Sequence, residues 1–540
     1  MKQFKRIADI VPEKDSSGMD VIAAVNGNMT LHLYSPCVDE TDVRPLTRKD
    51  PEGMEVYVST LLFLMAECAS EIFPSAVFRA RHSIENSVYC TIADADGNTP
   101  EDAATSLAAA LKSLVKANVD IRIVPASYKE AVDTLTKLNR ADELELLSHR
   151  NPPVVFLSAC GEFRALNQGP LAPRSGMLDK WEIIPVPHGV LLNVPTLDKP
   201  DELPDREELC KKGNYLGLFK SHLHRGKITG IETVGDLNRA ILEKKFNELV
   251  RICETIHRKE LSGIADEITS RSPAVRLVLV AGPSSAGKTT TATRICTQLR
   301  VNGVKPLLLS TDSYFVGDKR NPRDENGELD YETVEAVDRV RLSEDLNGLF
   351  SGKGVFMRRF DFIKHEGYDD TEKTFLAPDG VVVIEGIHAL NPLLVEGLGD
   401  YPVFRLYLNA MTQLVVDSCN RIPTSYSRLL RRLVRDAGYR GMSPLETFRL
   451  WPKVMDGERK WIYPFQHLAD AVFNSALDYE IAVLKPLALE LINQVKPWDK
   501  EFLTARRLSG LLHNVSIASS GAVPGDSILR ETIGGSQLEY

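Results

Sequence analysis

Short runs of apolar residues open the chain. Val21-Ile22-Ala23-Ala24-Val25 and Met29-Thr30-Leu31-His32-Leu33 flank Asn26-Gly27, a pattern that predicts a β-hairpin. Residues 55–73 carry a helical pattern that stops at Phe73-Pro74. Strand-like and helical pieces alternate from there to about residue 195. Pro195 to Asp205, with three prolines and several acids, reads as a linker. From Thr233 to Ile268 the apolar positions Leu237, Ile241, Phe246, Val250, Ile252 and Ile256 predict long helices.

After Ser272 the pattern changes to strands alternating with helices. Strands are predicted at 276–281, 305–310, 381–385, 402–408 and 469–473. Several of these are continuously apolar, as strands buried on both faces must be. The expected architecture is therefore a mainly parallel sheet covered by helices, within an α/β chain. Ser516 to Ser536 is rich in Gly, Ser and Pro and is expected to form an irregular tail against this second half.

The turn after the first of these strands holds the strongest chemical signal. Residues 282–289, Gly-Pro-Ser-Ser-Ala-Gly-Lys-Thr, match the phosphate-binding loop pattern G-x-x-x-x-G-K-[ST] between a β-branched strand and a helix without Gly or Pro. Glycines let backbone N–H groups wrap phosphates, and the helix N-terminus adds partial positive charge. The nucleotide contacts are assigned to Gly282, Ser284, Ser285, Ala286, Gly287, Lys288, Thr289 and Thr290. Lys288 should reach the β- and γ-phosphates, and the Thr289 hydroxyl should ligate Mg²⁺.

Acids at two later strand ends extend the site. Leu307-Leu308-Leu309-Ser310-Thr311-Asp312 ends in a carboxylate suited to accepting a hydroxyl proton or binding Mg²⁺. Val381-Val382-Val383-Ile384 ends in Glu385-Gly386, the acidic position that holds Mg²⁺. His388, close behind, is more simply read as structural. Arg428, Arg431, Arg432 and Arg435 share one helical face with few acids nearby in sequence, as a lid closing over a phosphoryl group would require. Phe360-Asp361-Phe362-Ile363-Lys364-His365 brings two aromatics and a histidine together, enough to wall a base-sized pocket.

Composition narrows the class. With 540 residues, 43% hydrophobic and 26% charged, the chain has the makeup of an ordinary soluble protein with two to four domains. A net charge of −9 argues against sequence-independent nucleic-acid binding. The eight cysteines are scattered without a C-x-x-C pair, which suggests reduced thiols in a cytosol. No apolar run approaches a membrane span, and Met1 to Asp20 lacks a signal-peptide core. A cytoplasmic location is expected.

Taken together, G-P-S-S-A-G-K-T-T, T-D-S-Y-F, F-D-F-I-K-H, V-I-E-G-I and R-L-L-R-R-L-V-R-D resemble the uridine kinase family, close to the phosphoribulokinases. The resemblance implies ATP and Mg²⁺ as cofactors and Asp312 as general base on a nucleoside 5′-hydroxyl. It implies Asp330 on the ribose hydroxyls, Phe360, Phe362 and His365 around the base, and Tyr314 and Arg431 as further substrate contacts. Lys288, Arg428, Arg432 and Arg435 would stabilise the transferring phosphoryl group, and Thr289 and Glu385 would hold the metal. Two departures stand out. The family commonly reads Asp-Ser-Phe-Tyr where this chain has Asp312-Ser313-Tyr314-Phe315, and the family's base-pocket tyrosine is Phe360 here.

The first half resembles the front end of threonyl-tRNA synthetases. Residues 1–52 are similar to their β-grasp TGS domain, and residues 53–225 to their α+β editing domain. The recognisable pieces are Ile84-Glu85-Asn86-Ser87-Val88-Tyr89-Cys90 and Gly169-Pro170-Leu171-Ala172-Pro173. The editing H-x-x-x-H and C-x-x-x-H pairs fall on Ser59, Phe63, Asn167 and Leu171, so the first half is expected not to edit mischarged tRNA. The implied order continues with a helical connector at 226–271, a kinase domain at 272–510 and a tail at 511–540. The expected activity is phosphorylation of a nucleoside, uridine or cytidine first. Alternatives are a kinase for another hydroxyl compound, such as a sugar phosphate or pantothenate, and a nucleotide-gated RNA- or ribosome-binding regulator acting through the TGS-like module. The sequence leaves oligomeric state open.

Overall fold

The computed structural model describes residues 5–84, 86–93, 98–211, 225–325, 327–361 and 364–539. The chain divides into two compact units that do not follow it linearly. One comprises Met1–Leu249, Thr412–Ser427 and Ile481–Ala518; the other comprises Val250–Met411, Arg428–Glu480 and Ser519–Tyr540.

The first unit is α+β. Its strands are β1 (Ala23–Asn26), β2 (Met29–Leu31), β3 (Val43–Leu46), β4 (Val77–Ile84), β5 (Ser87–Ala93), β6 (Ile121–Ser127), β7 (Val154–Cys160), β8 (Phe163–Leu166), β9 (Glu182–Val186) and β10 (Gly189–Asn193). They form three antiparallel sheets, ordered β2-β1-β3, β4-β5-β10-β9 and β6-β7-β8. The expected hairpin is present, with its two left-handed residues at Gly27 (φ 57°) and Asn28 (φ 55°), one step beyond Asn26-Gly27. The helix Pro51–Ile72 buries Leu61, Phe63, Leu64 and Met65 in a core that also takes Ala23, Val25 and Leu46 from β1 and β3.

The second unit is α/β, as the sequence pattern requires. Its strands are β11 (Leu277–Ala281), β12 (Pro306–Ser310), β13 (Val355–Asp361), β14 (Glu366–Thr374), β15 (Val381–Glu385), β16 (Val403–Asn409) and β17 (Ala471–Asn474). Five form one sheet in the order β12-β15-β11-β16-β17, and every neighbouring pair is parallel. The five predicted strands thus lie where their apolar runs placed them. β11 and β15 are buried throughout, which explains their unbroken aliphatic sequence. β13 and β14 pair separately as an antiparallel ribbon.

β11 lies between β15 and β16, so the chain leaves its carboxyl end where connections diverge to either side. Open α/β sheets bind ligands in the crevice at such a point. The tail is more ordered than its composition suggests: Ile528 and Leu529 are buried, and Arg530–Ile533 is a short helix.

Candidate active site

The phosphate loop joins β11 to the helix Lys288–Val301. Its glycines are dictated by geometry. A Cβ on Gly282 would lie 2.5 Å from the Leu408 carbonyl oxygen, and Gly287 has φ +83°. Gly287 caps the helix without any side-chain acceptor, so the N-cap leaves the first-turn N–H groups to an anion such as a phosphate. The Lys288 ammonium curls over the loop and donates to the Pro283 carbonyl at 3.2 Å. Desolvation lowers its pKa, while the carboxylates of Glu385, Asp312 and Glu531 act in the opposite direction.

The parallel register sets the acids beside this loop. Glu385, the last residue of β15, lies opposite Ser310 of β12 and Val280 of β11. Asp312 follows Ser310 in a single 3-10 turn, Thr311–Tyr314. Close approach of the two strand ends demands Gly386, where a Cβ would meet the Thr311 hydroxyl at 1.8 Å. The Thr289 hydroxyl donates to Glu385 Oε1 at 3.3 Å. Burial, and then the Asp312 carboxylate, push Glu385 up to about 7, against the pull of Lys288. Two carboxylates forced together beside a hydroxyl make an all-oxygen donor set, which suits a hard cation such as Mg²⁺.

The arginine helix, Thr424–Tyr439, grips the loop. Arg428 is 1% exposed and pairs with Glu458, donating through its second nitrogen at 2.7 Å. It also donates to the Ser284 carbonyl at 3.2 Å. Arg431 pairs with Glu480 and donates to the carbonyls of Ser475 at 2.8 Å and Ser285 at 3.4 Å. Arg432 donates to the Ser284 hydroxyl at 2.8 Å, and both Arg432 and Arg435 pair with Asp436. The sparse acids along the helix are therefore misleading, because Glu458 and Glu480 arrive from elsewhere in the chain. Arg428 and Arg431 sit as braces of the loop, and Arg432 and Arg435 are the pair with less burial.

The acceptor-side residues gather in part. Phe315 meets Phe360 edge-on at 5.7 Å and Tyr331 at 5.4 Å. The Tyr331 hydroxyl lies 3.3 Å from His365 Nδ1, and Asp318 bonds to both groups. Asp330 Oδ1 accepts the Glu332 N–H at 3.0 Å. Phe362 lies outside the described residues. Tyr314 does not join this group: it is 1% exposed, and its hydroxyl donates to Asp345 Oδ2 at 3.1 Å. His388 is buried, and desolvation pushes its pKa down to about 4, so it is neutral as a structural histidine would be.

Three residues escaped sequence reasoning. Glu458 holds the loop, Tyr331 brings a phenol to His365, and Glu531 accepts from the Thr290 hydroxyl at 2.7 Å. None lies in a motif, and only tertiary structure brings them to the site.

Residues 277–482 match the model described as the phosphoribulokinase / uridine kinase family. This segment is a domain of that family. The uridine kinase of Staphylococcus aureus strain JH9 is 28% identical over 211 residues, 39% of this chain and 92% of that protein. The threonine–tRNA ligase of Coxiella burnetii is 29% identical over 189 residues, 34% of this chain, within the N-terminal part. The chain spans 29% of that ligase's length. Among solved structures, one described as a possible uridine kinase from Bacillus stearothermophilus is 20% identical. It covers 40% of this chain and 98% of its own, with a TM-score of 0.28. The 277–482 segment is thus a P-loop kinase domain, built to transfer phosphoryl groups.

Proposed function

We propose that the second unit is an ATP- and Mg²⁺-dependent kinase acting on the 5′-hydroxyl of a nucleoside, uridine or cytidine first. The observation that carries this reading is the convergence of Lys288, Asp312 and Glu385 at three adjoining strand ends. The family match and the resemblance to a uridine kinase along nearly its whole length support it.

Each group then has a task. The loop N–H groups and Lys288 hold the triphosphate, and Thr289 and Glu385 are the residues that would hold Mg²⁺. A metal held there would offset the negative charge of the phosphates. Asp312 accepts the proton of the acceptor hydroxyl as its oxygen bonds to the γ-phosphorus and the bond to the β,γ-bridging oxygen breaks. Arg432 and Arg435 balance charge on the moving phosphoryl group. Phe315, Phe360, Tyr331 and His365 wall the acceptor, with Asp330 for its sugar hydroxyls. Positioning and charge, rather than covalent chemistry, account for the rate.

The first unit has no editing role in this reading. Phe63 (3% exposed) and Leu171 (6%) are packed in one apolar core, and Asn167 spends its amide on Ser158 and Gly169. Cys37, Cys68, Cys90, Cys160, Cys253, Cys296 and Cys419 are free and buried, consistent with a reducing cytoplasm. Among the described residues, no helix is long and apolar enough to cross a membrane.

The test is purified protein with ATP, Mg²⁺ and a panel of nucleosides, with products identified. Formation of UMP or CMP is expected. Turnover of a sugar phosphate or pantothenate with no nucleoside product would replace the acceptor.

A further inference from the structure

The C-terminal segment enters the donor site from outside the family domain, which ends at residue 482. Its Glu531 Oε2 accepts the Thr290 hydroxyl at 2.7 Å. Thr290 is fully buried and lies in the first turn of the helix that begins at Lys288. Thr289, one residue earlier, turns instead to Glu385. The two carboxylates accept from adjacent hydroxyls, and both bear on the Lys288 ammonium.

Glu531 is held in place. Ile528 and Leu529 are buried, and a Cβ on Gly287 would lie 3.3 Å from the Ile528 side chain. Asp526 pairs with Arg258 at 3.0 Å. Arg530 ties the turn by donating to the carbonyls of Val523 at 2.6 Å and Gly534 at 3.1 Å. These contacts fix the turn that presents the Glu531 carboxylate to Thr290. With the loop empty, it stabilises the N-terminus of the helix by lying near its positive end. With phosphates bound, it stands against charge of its own sign.

We propose that Glu531 is a specificity-determining residue of the donor site, a fixed negative charge that weakens nucleotide binding in proportion to phosphate charge and so speeds release of the nucleoside diphosphate product. This rests on the kinase reading above. Two anions about 4 Å apart in water repel by about 1 kcal/mol, so removing one charge should tighten binding about fivefold.

The experiment is calorimetric titration of the full chain with ATP, ADP and AMP at low salt, without acceptor. Glu531→Gln keeps an oxygen for Thr290 and removes the charge. It should bind ATP and ADP about fivefold more tightly, with a smaller gain for AMP. Glu531→Asp, which keeps the charge, should stay near wild type. Should Glu531→Gln fail to fold, Glu531→Ala carries the same expectation. Unchanged or weaker binding of ATP and ADP, or an equal gain for all three ligands, overturns the role of Glu531 while leaving the kinase reading intact. A wild-type protein that binds none of the three overturns both.

Discussion

Arg428 and Glu458 grip one residue of the phosphate loop from both sides. Glu458 accepts the Ser284 N–H at 3.0 Å, and Arg428 donates to the Ser284 carbonyl at 3.2 Å. The pair is sealed from water, with side-chain exposures of 2% and 0%, and Tyr463 adds a third donor to Glu458 at 3.0 Å. Removing the acid strands a buried guanidinium and frees the loop at once. Glu458→Ala should therefore cost about 3–5 kcal/mol of stability in a urea titration. It should also raise KM for ATP. A loss below about 1 kcal/mol, the range of an exposed pair, would show that the pair is not the brace described.

A second outcome concerns pH. Glu385 is raised from an ordinary 4.5 to about 7, chiefly by burial and then by Asp312. The metal-free fold thus favours its protonated form. Stability from this group is complete below 4.5 and is lost as pH rises through about 7. A bound cation requires the carboxylate, so Mg²⁺-dependent nucleotide affinity should rise over the same window and level off above it. Thermal unfolding without metal and ATP titration with Mg²⁺, each followed against pH, should move in opposite directions. Glu385→Gln should flatten both profiles.

Much of this site was legible because it is made of local signals. The loop needs glycines at Gly282 and Gly287 for close approach and a left-handed turn, and those needs leave a fixed spacing in the sequence. Strands buried on both faces are written as unbroken apolar runs, so β11 and β15, and the acid ending β15, could be read directly. The partners of the arginine helix could not be. Glu458 and Glu480 lie 30 and 49 residues from the arginines they neutralise, and charge pairing across such distances leaves no periodic trace. Glu531 is hidden for the same reason, inside a stretch whose Gly, Ser and Pro content suggested only an irregular tail. The units, too, interleave in the chain, with Thr412–Ser427 and Ile481–Ala518 returning to the first.

The roles of Lys288 and Asp312 separate in kinetics. Lys288→Ala should abolish phosphoryl transfer, since nothing else among the described residues places an ammonium over the loop. Asp312→Asn keeps size and hydrogen-bonding capacity but cannot take a proton. It should lower kcat about 10²- to 10⁴-fold, with ATP affinity measured by titration nearly unchanged. Near-normal turnover by the asparagine variant would remove Asp312 from the base role.

Tyr314 and His365 separate a core phenol from a pocket group. The resemblance assigned both to substrate, yet Tyr314 bonds Asp345 in the interior, and Asp345 in turn pairs with Arg341 at 2.9 Å. Tyr314→Phe removes one buried hydrogen bond and leaves Asp345 with its arginine. It should lower stability by about 1 kcal/mol, with KM for the acceptor unchanged. His365 is about half exposed and faces Tyr331 and Asp318 beside the Phe315–Phe360 contact. His365→Ala should spare stability and raise KM for the acceptor several-fold, because a polar contact in the pocket is worth about 1 kcal/mol. Steady-state kinetics and urea unfolding on the two variants together check the division. A shift in acceptor KM from Tyr314→Phe would mean that its hydroxyl reaches substrate by leaving Asp345.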